Sequence, residues 1–152
     1  MSNPYVQKEV KKVLDSAEYP TNMALAAAWI VAHFKGVNIK IYDTKDQSSL
    51  CDFNIIASAE NTTQAKSMID EIMFNLKQSG ADVLSLEGLA DGEWILLDIG
   101  DVIVHIFQDV SREVFDLDSL WHECDQVEIP QEYYFGAPEE AAKEKDTTEN
   151  YF

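Results

Sequence analysis

The second half of this chain has almost no positive charge. Residues 82–128 hold thirteen acids and a single base, Arg112. Residues 1–81 are nearly balanced, with nine acids and eight lysines, and residues 129–152 carry six acids against two lysines. The net charge of −17 therefore sits mostly in one region. Nucleic-acid backbones and anionic membranes are held by Lys and Arg, so this half argues against DNA or a membrane as a direct ligand. It suits a basic protein partner, drawn in by electrostatic steering. Cysteine is also scarce. Cys51 and Cys124 are too few for a disulfide scaffold and have no CxxC spacing, so a reduced, cytoplasmic protein is expected. The longest apolar run, Met23–Phe34, has twelve residues where a membrane span needs roughly twenty. The segment before it mixes lysines with acids and offers no convincing signal cleavage site.

Catalytic signatures are missing as well. There is no GxxxxGK[ST], no GxGxxG and no GxSxG. His122 and Cys124 could supply two zinc ligands, but no complementary pair is evident. Asp98 and Asp101 invite a metal or acid/base reading, yet no third ligand stands beside them. No cofactor is expected.

What is present begins with Trp94–Phe107, WILLDIGDVIVHIF. Two apolar runs flank Gly100-Asp101, a two-residue hairpin signal because Gly adopts the positive φ that such turns need. That turn pairs Asp98 with Ile103, Leu97 with Val104, Leu96 with His105, Ile95 with Ile106 and Trp94 with Phe107. Side chains alternate between faces, and directly paired residues share one. Ile95, Leu97, Ile99, Val102, Val104 and Ile106 make an aliphatic face that reads as core. Trp94, Leu96, Asp98, Ile103, His105 and Phe107 make a mixed face, either a second packed face or a docking surface.

At 152 residues the chain is long enough for one domain with a sizeable core. Asn3-Pro4 starts a helix over 4–17, with Val6, Val10, Val13 and Ala17 on one side. Tyr19-Pro20 interrupts it. Thr21 or Asn22 caps a second helix to about Lys35, buried nearly all round, with Gly36 as its stop. His33 near its end reads as a partial-core histidine. Val37–Tyr42 and Phe53–Ala57 are strands. A helix over 63–78 carries Ala65, Met68 or Ile69, Ile72, Met73 and Leu76 and stops at Gly80. Val83–Leu86 is a short strand, parallel to the Phe53 strand if both join one sheet.

After the hairpin, residues 110–124 predict one amphipathic helix, capped by Ser111, with Val114, Phe115, Leu117 or Asp118, Leu120 and Trp121 on its apolar side. Residues 126–135 hold two tyrosines and a phenylalanine and are expected to fold back. The order predicts an α/β (α+β) fold, a mixed sheet flanked by helices. It divides into a helical extension at 1–20, a domain at 21–135 and an acidic, disordered tail at 136–152.

The residues from Leu50 to Trp121 resemble the Iojap-like ribosomal silencing factor family. The likeness rests on Cys51-Asp52-Phe53-x-Ile55-Ile56-Ala57, Gln64-Ala65, Glu87-Gly88, the Trp94–Phe107 stretch, and Arg112-Glu113-x-Phe115-x-Leu117-x-x-Leu120-Trp121. The family's small, Gly-containing segment after the second strand appears here as Ser58-Ala59-Glu60-Asn61, a departure.

The resemblance implies a non-catalytic factor with a nucleotidyltransferase-like fold that lacks the catalytic motif. It implies binding to the large ribosomal subunit through large-subunit ribosomal protein fourteen, a block on subunit association, repressed translation, a part in subunit assembly, and a homodimer when free. The contact face would then be Trp94, Leu96, Asp98, Ile103, His105 and Phe107, with Asp101 at the tip. A metal-dependent nucleotidyltransferase-like enzyme, or a homodimeric adaptor for another protein, are the alternatives.

Overall fold

The computed structural model describes residues 2–135. Its centre is a mixed sheet of β1 (Val37–Asp43), β2 (Phe53–Ala59), β3 (Ser85–Glu87), β4 (Trp94–Asp98), β5 (Val102–Gln108) and β6 (Gln126–Val127). The strand order is β3-β4-β5-β2-β1-β6. Only β2 and β5 pair in parallel; the other neighbours are antiparallel. The hairpin has the register its alternation dictates, from Trp94 opposite Phe107 to Asp98 opposite Ile103. Gly100 takes a φ of 99° in its turn, and the Ile99 amide donates to the Val102 carbonyl at 3.0 Å.

One face of the sheet carries α1 (Pro4–Asp15), α2 (Thr21–His33) and α3 (Thr62–Gln78). All six residues of the hairpin's aliphatic face lie in the core beneath them. α1 adds Val6, Val10 and Val13 to this same core. Its N-cap is Asn3, whose Oδ1 accepts from the Val6 amide at 2.8 Å. α2 is buried on nearly every side, and its alanines let it lie close to the sheet. α3 is capped by Asn61 and buries both Met68 and Ile69. Every residue of β2 is buried, because helices or aromatic side chains cover both its faces.

Several expectations need correction. α2 has no side-chain cap: Pro20 occupies that position, and the Asn22 amide group instead donates to the Leu14 carbonyl at 3.1 Å, tying α2 to α1. The left-handed residue ending it is Lys35, with φ 70°. Gly36 serves close packing, since a Cβ there would fall 2.3 Å from Val31 Cγ1. The short strand is Ser85–Glu87 and pairs with β4 at the sheet edge. It does run in the direction of β2, but β5 and β4 lie between them.

The largest difference follows β5. The expected single helix is broken into α4 (Asp109–Phe115) and α5 (Leu117–Leu120) by Asp116, which has φ 47°. Ser111 is a buried residue within α4 rather than its cap. Residues 126–135 do fold back. β6 pairs with β1, and α6 (Glu132–Phe135) packs on α2 through the buried Tyr133. The expected tail, 136–152, lies outside the described residues. No helix among the described residues is long and apolar enough to cross a membrane.

Candidate protein-docking face

The sheet face opposite α1–α3 is only partly covered, by α4, α5 and the turn after them. Its centre is a small cluster of Tyr42, Ile56 and Phe107, with Trp94, Leu117, Trp121 and Cys124 packed around it. Trp94 stacks on Phe107 with centroids 4.9 Å apart, and Phe115 leans on Trp94 at 5.0 Å. Of the residues expected on this face, Trp94, Leu96, Asp98, Asp101 and Ile103 are partly exposed. Phe107 is fully buried and His105 is 4% exposed, so these two form the layer beneath the surface. The mixed face is thus packed at its centre and open at its margins.

A chain of hydrogen bonds runs under it. Trp94 Nε1 donates to His105 Nδ1 at 3.2 Å. An indole can only donate, so Nδ1 accepts and the imidazole proton sits on Nε2. Nε2 then donates to Asn54 Oδ1 at 3.0 Å. Asn54 Nδ2 in turn donates to Thr44 Oγ1 at 2.9 Å and to Cys51 Sγ at 3.2 Å. Burial pushes His105 down to about 4, so the ring is neutral at pH 7 and the chain of donors is intact.

The lone base of the acidic half proves to be the main tie between α4, α5 and the sheet. Arg112 is 7% exposed. Its Nε and NH2 donate to the two oxygens of Asp118 at 3.0 and 3.2 Å, and NH1 donates to the Asn38 carbonyl at 2.7 Å and to Ser58 Oγ at 3.0 Å. Tyr42 donates its phenol to Asp118 Oδ1 at 2.6 Å. Burial works to raise Asp118, but the hydrogen bonds from Arg112 and Tyr42 and the Arg112 charge outweigh it and hold the carboxyl low. A planar guanidinium that meets a carboxylate with two parallel bonds fixes direction as well as distance. Asp118 is therefore turned inward, and the chain bends at Asp116.

Sequence reasoning missed this arrangement. The available signal was Arg112 itself, one cation among thirteen acids. Ser58, part of the departure from the family pattern, is one of its partners.

Asp98 and Asp101 are each engaged by a different partner. Asp98 Oδ1 accepts from the Gly100 amide at 2.9 Å. Asp101 Oδ2 accepts from the Tyr19 phenol at 2.6 Å, a bond that, with burial, pushes Tyr19 up to about 12. Among the described residues no group of three or more His, Cys, Asp or Glu could hold a metal ion. His122 binds the Ser119 carbonyl at 2.8 Å and is exposed, while Cys124 packs toward the aromatic cluster. His33 stacks on Trp29 at 4.9 Å, as a partial-core histidine should.

Comparisons with known proteins agree on one family. A family profile described as "Ribosomal silencing factor during starvation" matches residues 16–151. The ribosomal silencing factor RsfS of Chromobacterium violaceum is 36% identical over 87 residues, covering 57% of this chain and 71% of its own length. The factor of the same name from Haemophilus influenzae is 34% identical over 87 residues, covering 57% of this chain and 85% of its own length. The chloroplastic protein Iojap of Arabidopsis thaliana is 28% identical over 127 residues, 84% of this chain and 52% of that protein. A crystal structure of a Chromobacterium violaceum protein superposes with a TM-score of 0.58 at 28% identity, covering 80% of this chain and 88% of the other. One from Bacillus halodurans gives 0.60 at 28% identity, covering 68% and 93%.

Proposed function

The chain belongs to the family of ribosomal silencing factors, and from that premise we propose that it binds the large ribosomal subunit through large-subunit ribosomal protein fourteen and blocks joining of the small subunit. Translation is repressed by steric occlusion, without a catalytic step. The observation that carries this reading is the partly open mixed face, where Trp94, Leu96, Asp98 and Ile103 reach solvent amid the acidic half of the chain. An apolar patch ringed by carboxylates is complementary to a basic ribosomal protein. His105 and Phe107 contribute by holding Trp94 in place, and Asp101 marks the tip of the hairpin.

In this reading the fold is a nucleotidyltransferase-like one put to binding use, residues 21–135 form the silencing domain, and residues 1–20 form its helical extension. Residues 136–152 are an acidic appendage, and the factor is a cytoplasmic homodimer when free of the ribosome. The direct test is co-sedimentation with purified bacterial large subunits. Asp98→Lys reverses a charge on the face at a partly exposed site, and should weaken binding about tenfold while the far-UV spectrum is unchanged. Undiminished binding by that variant would contradict the assignment of the face.

A further inference from the structure

On the mixed face itself lies an open groove of about 360 Å³. Ile103 and His105 form its floor, Leu117 and Trp121 one wall, and Leu50 and Leu120 its rims. The rims are far more exposed than large aliphatic side chains usually are, with Leu50 at 82% and Leu120 at 65%. We propose that this groove is an anchor pocket that takes one or two apolar side chains from a basic segment of the ribosomal partner, an inference that rests on the docking reading above.

The floor explains why the occupant is apolar. Both ring nitrogens of His105 are engaged, one by Trp94 and one by Asn54. Both polar atoms of the Asn54 side chain are engaged as well. The floor offers mainly hydrocarbon and ring surface, and the remaining lining is Gln47, Ser48 and Cys51, of which Ser48 Oγ accepts from the Leu50 amide at 3.0 Å. The wall is already in place. Trp121 lies against His105 and Tyr42 at 5.8 and 5.9 Å, and the Arg112–Asp118 pair fixes the turn that carries Leu117 and Leu120. A pocket formed in advance spares the partner the cost of ordering it.

The surroundings explain why the segment is basic. Asp98 and Asp52 lie close enough to Cys51, at one end of the groove, to add to the effect of burial in raising its thiol. Asp43, Asp125, Asp46 and Glu123 act in the same way on Cys124, which packs with Trp121 against the neighbouring aromatic cluster. Of the cations close by, Lys45 pairs with Asp43 at 3.5 Å and lies 5.1 Å from the Phe53 ring, Arg112 holds Asp118, and the charge of Lys40 also acts on Asp118. An apolar anchor flanked by Lys or Arg satisfies both the groove and its surroundings.

The test compares full-length variants for binding to purified bacterial large subunits at fixed salt. Leu50→Ser with Leu120→Ser removes the rims without changing charge, and both sites are exposed enough to leave the thermal midpoint unchanged. Binding should weaken about tenfold or more. Leu84→Ser, an equally exposed leucine outside the groove at 65%, is the control and should stay within twofold. If the double variant stays within twofold while Asp98→Lys loses binding, the anchor pocket is overturned and the docking face stands. If neither change weakens binding, both readings fail. Equal weakening by Leu84→Ser would also overturn a localised anchor.

Discussion

Arg112 and His105 are both buried and polar, and acid acts on the neighbourhood of each with the same sign. His105 titrates near 6.5 in an unfolded chain and at about 4 in the fold. Between those values the unfolded chain takes up the proton and the folded one does not, so stability is complete above pH 6.5 and falls as the pH drops toward 4. The loss by pH 4.5 should be on the order of 2 to 3 kcal/mol. His105→Gln should flatten that decline, read from urea midpoints at pH 7 and 4.5. Asp118 adds to the effect at lower pH: held below its ordinary value, it contributes stability that is present above that value and lost as pH falls through the depressed one. Arg112→Met would strand Asp118 and the Asn38 carbonyl. Removing one partner of a buried pair typically costs about 3 kcal/mol or more, somewhat less here because Asp118 keeps some contact with water. Urea denaturation of Arg112→Met, Asp118→Asn and the double variant would measure the coupling as a cycle.

At the scale of elements, β5 has two unlike sides. Ile106 is fully buried in the main core, whereas Ile103 is half-buried at the groove. Ile106→Ala should therefore cost about 2 to 5 kcal/mol of stability, and Ile103→Ala about 1. Denaturant unfolding separates the two. The hairpin was legible in the sequence because period-two alternation and a glycine turn are local signals, and register follows from them. α3 was legible for a similar reason, through its cap and its stripe.

The region after β5 was not. Val114, Phe115, Leu117, Leu120 and Trp121 fit one amphipathic helix by spacing, yet Val114, Phe115 and Leu120 are exposed at 72%, 53% and 65%. The break at Asp116 goes with partners contributed by Asn38 and Tyr42 of β1 and Ser58 of β2, long-range contacts that spacing does not encode. β6 escaped notice because two residues carry no period. For the site, the faces could be read from alternation, but which members would be roofed over could not. Phe107 and His105 belong to the mixed face by parity and to the interior by packing.

For the whole molecule, charge and coverage tell one story. The layer of three helices closes one side of the sheet, and the other side is left with a thinner cover, built largely from the half of the chain that carries most of the net negative charge. Attraction of such a surface to a basic protein weakens as salt screens it, over a Debye length of about 8 Å at physiological ionic strength. Association with large subunits should therefore slow more than dissociation speeds up when salt is raised, a split visible in stopped-flow or surface binding kinetics. The most direct measurement is of subunit joining itself. Purified large and small subunits are mixed in a sucrose gradient, with and without the protein bound beforehand to the large subunit. Silencing by occlusion predicts that the joined-ribosome peak falls, free subunits rise, and the protein travels with the large subunit. An undiminished joined-ribosome peak, with the protein bound to large subunits, would contradict it.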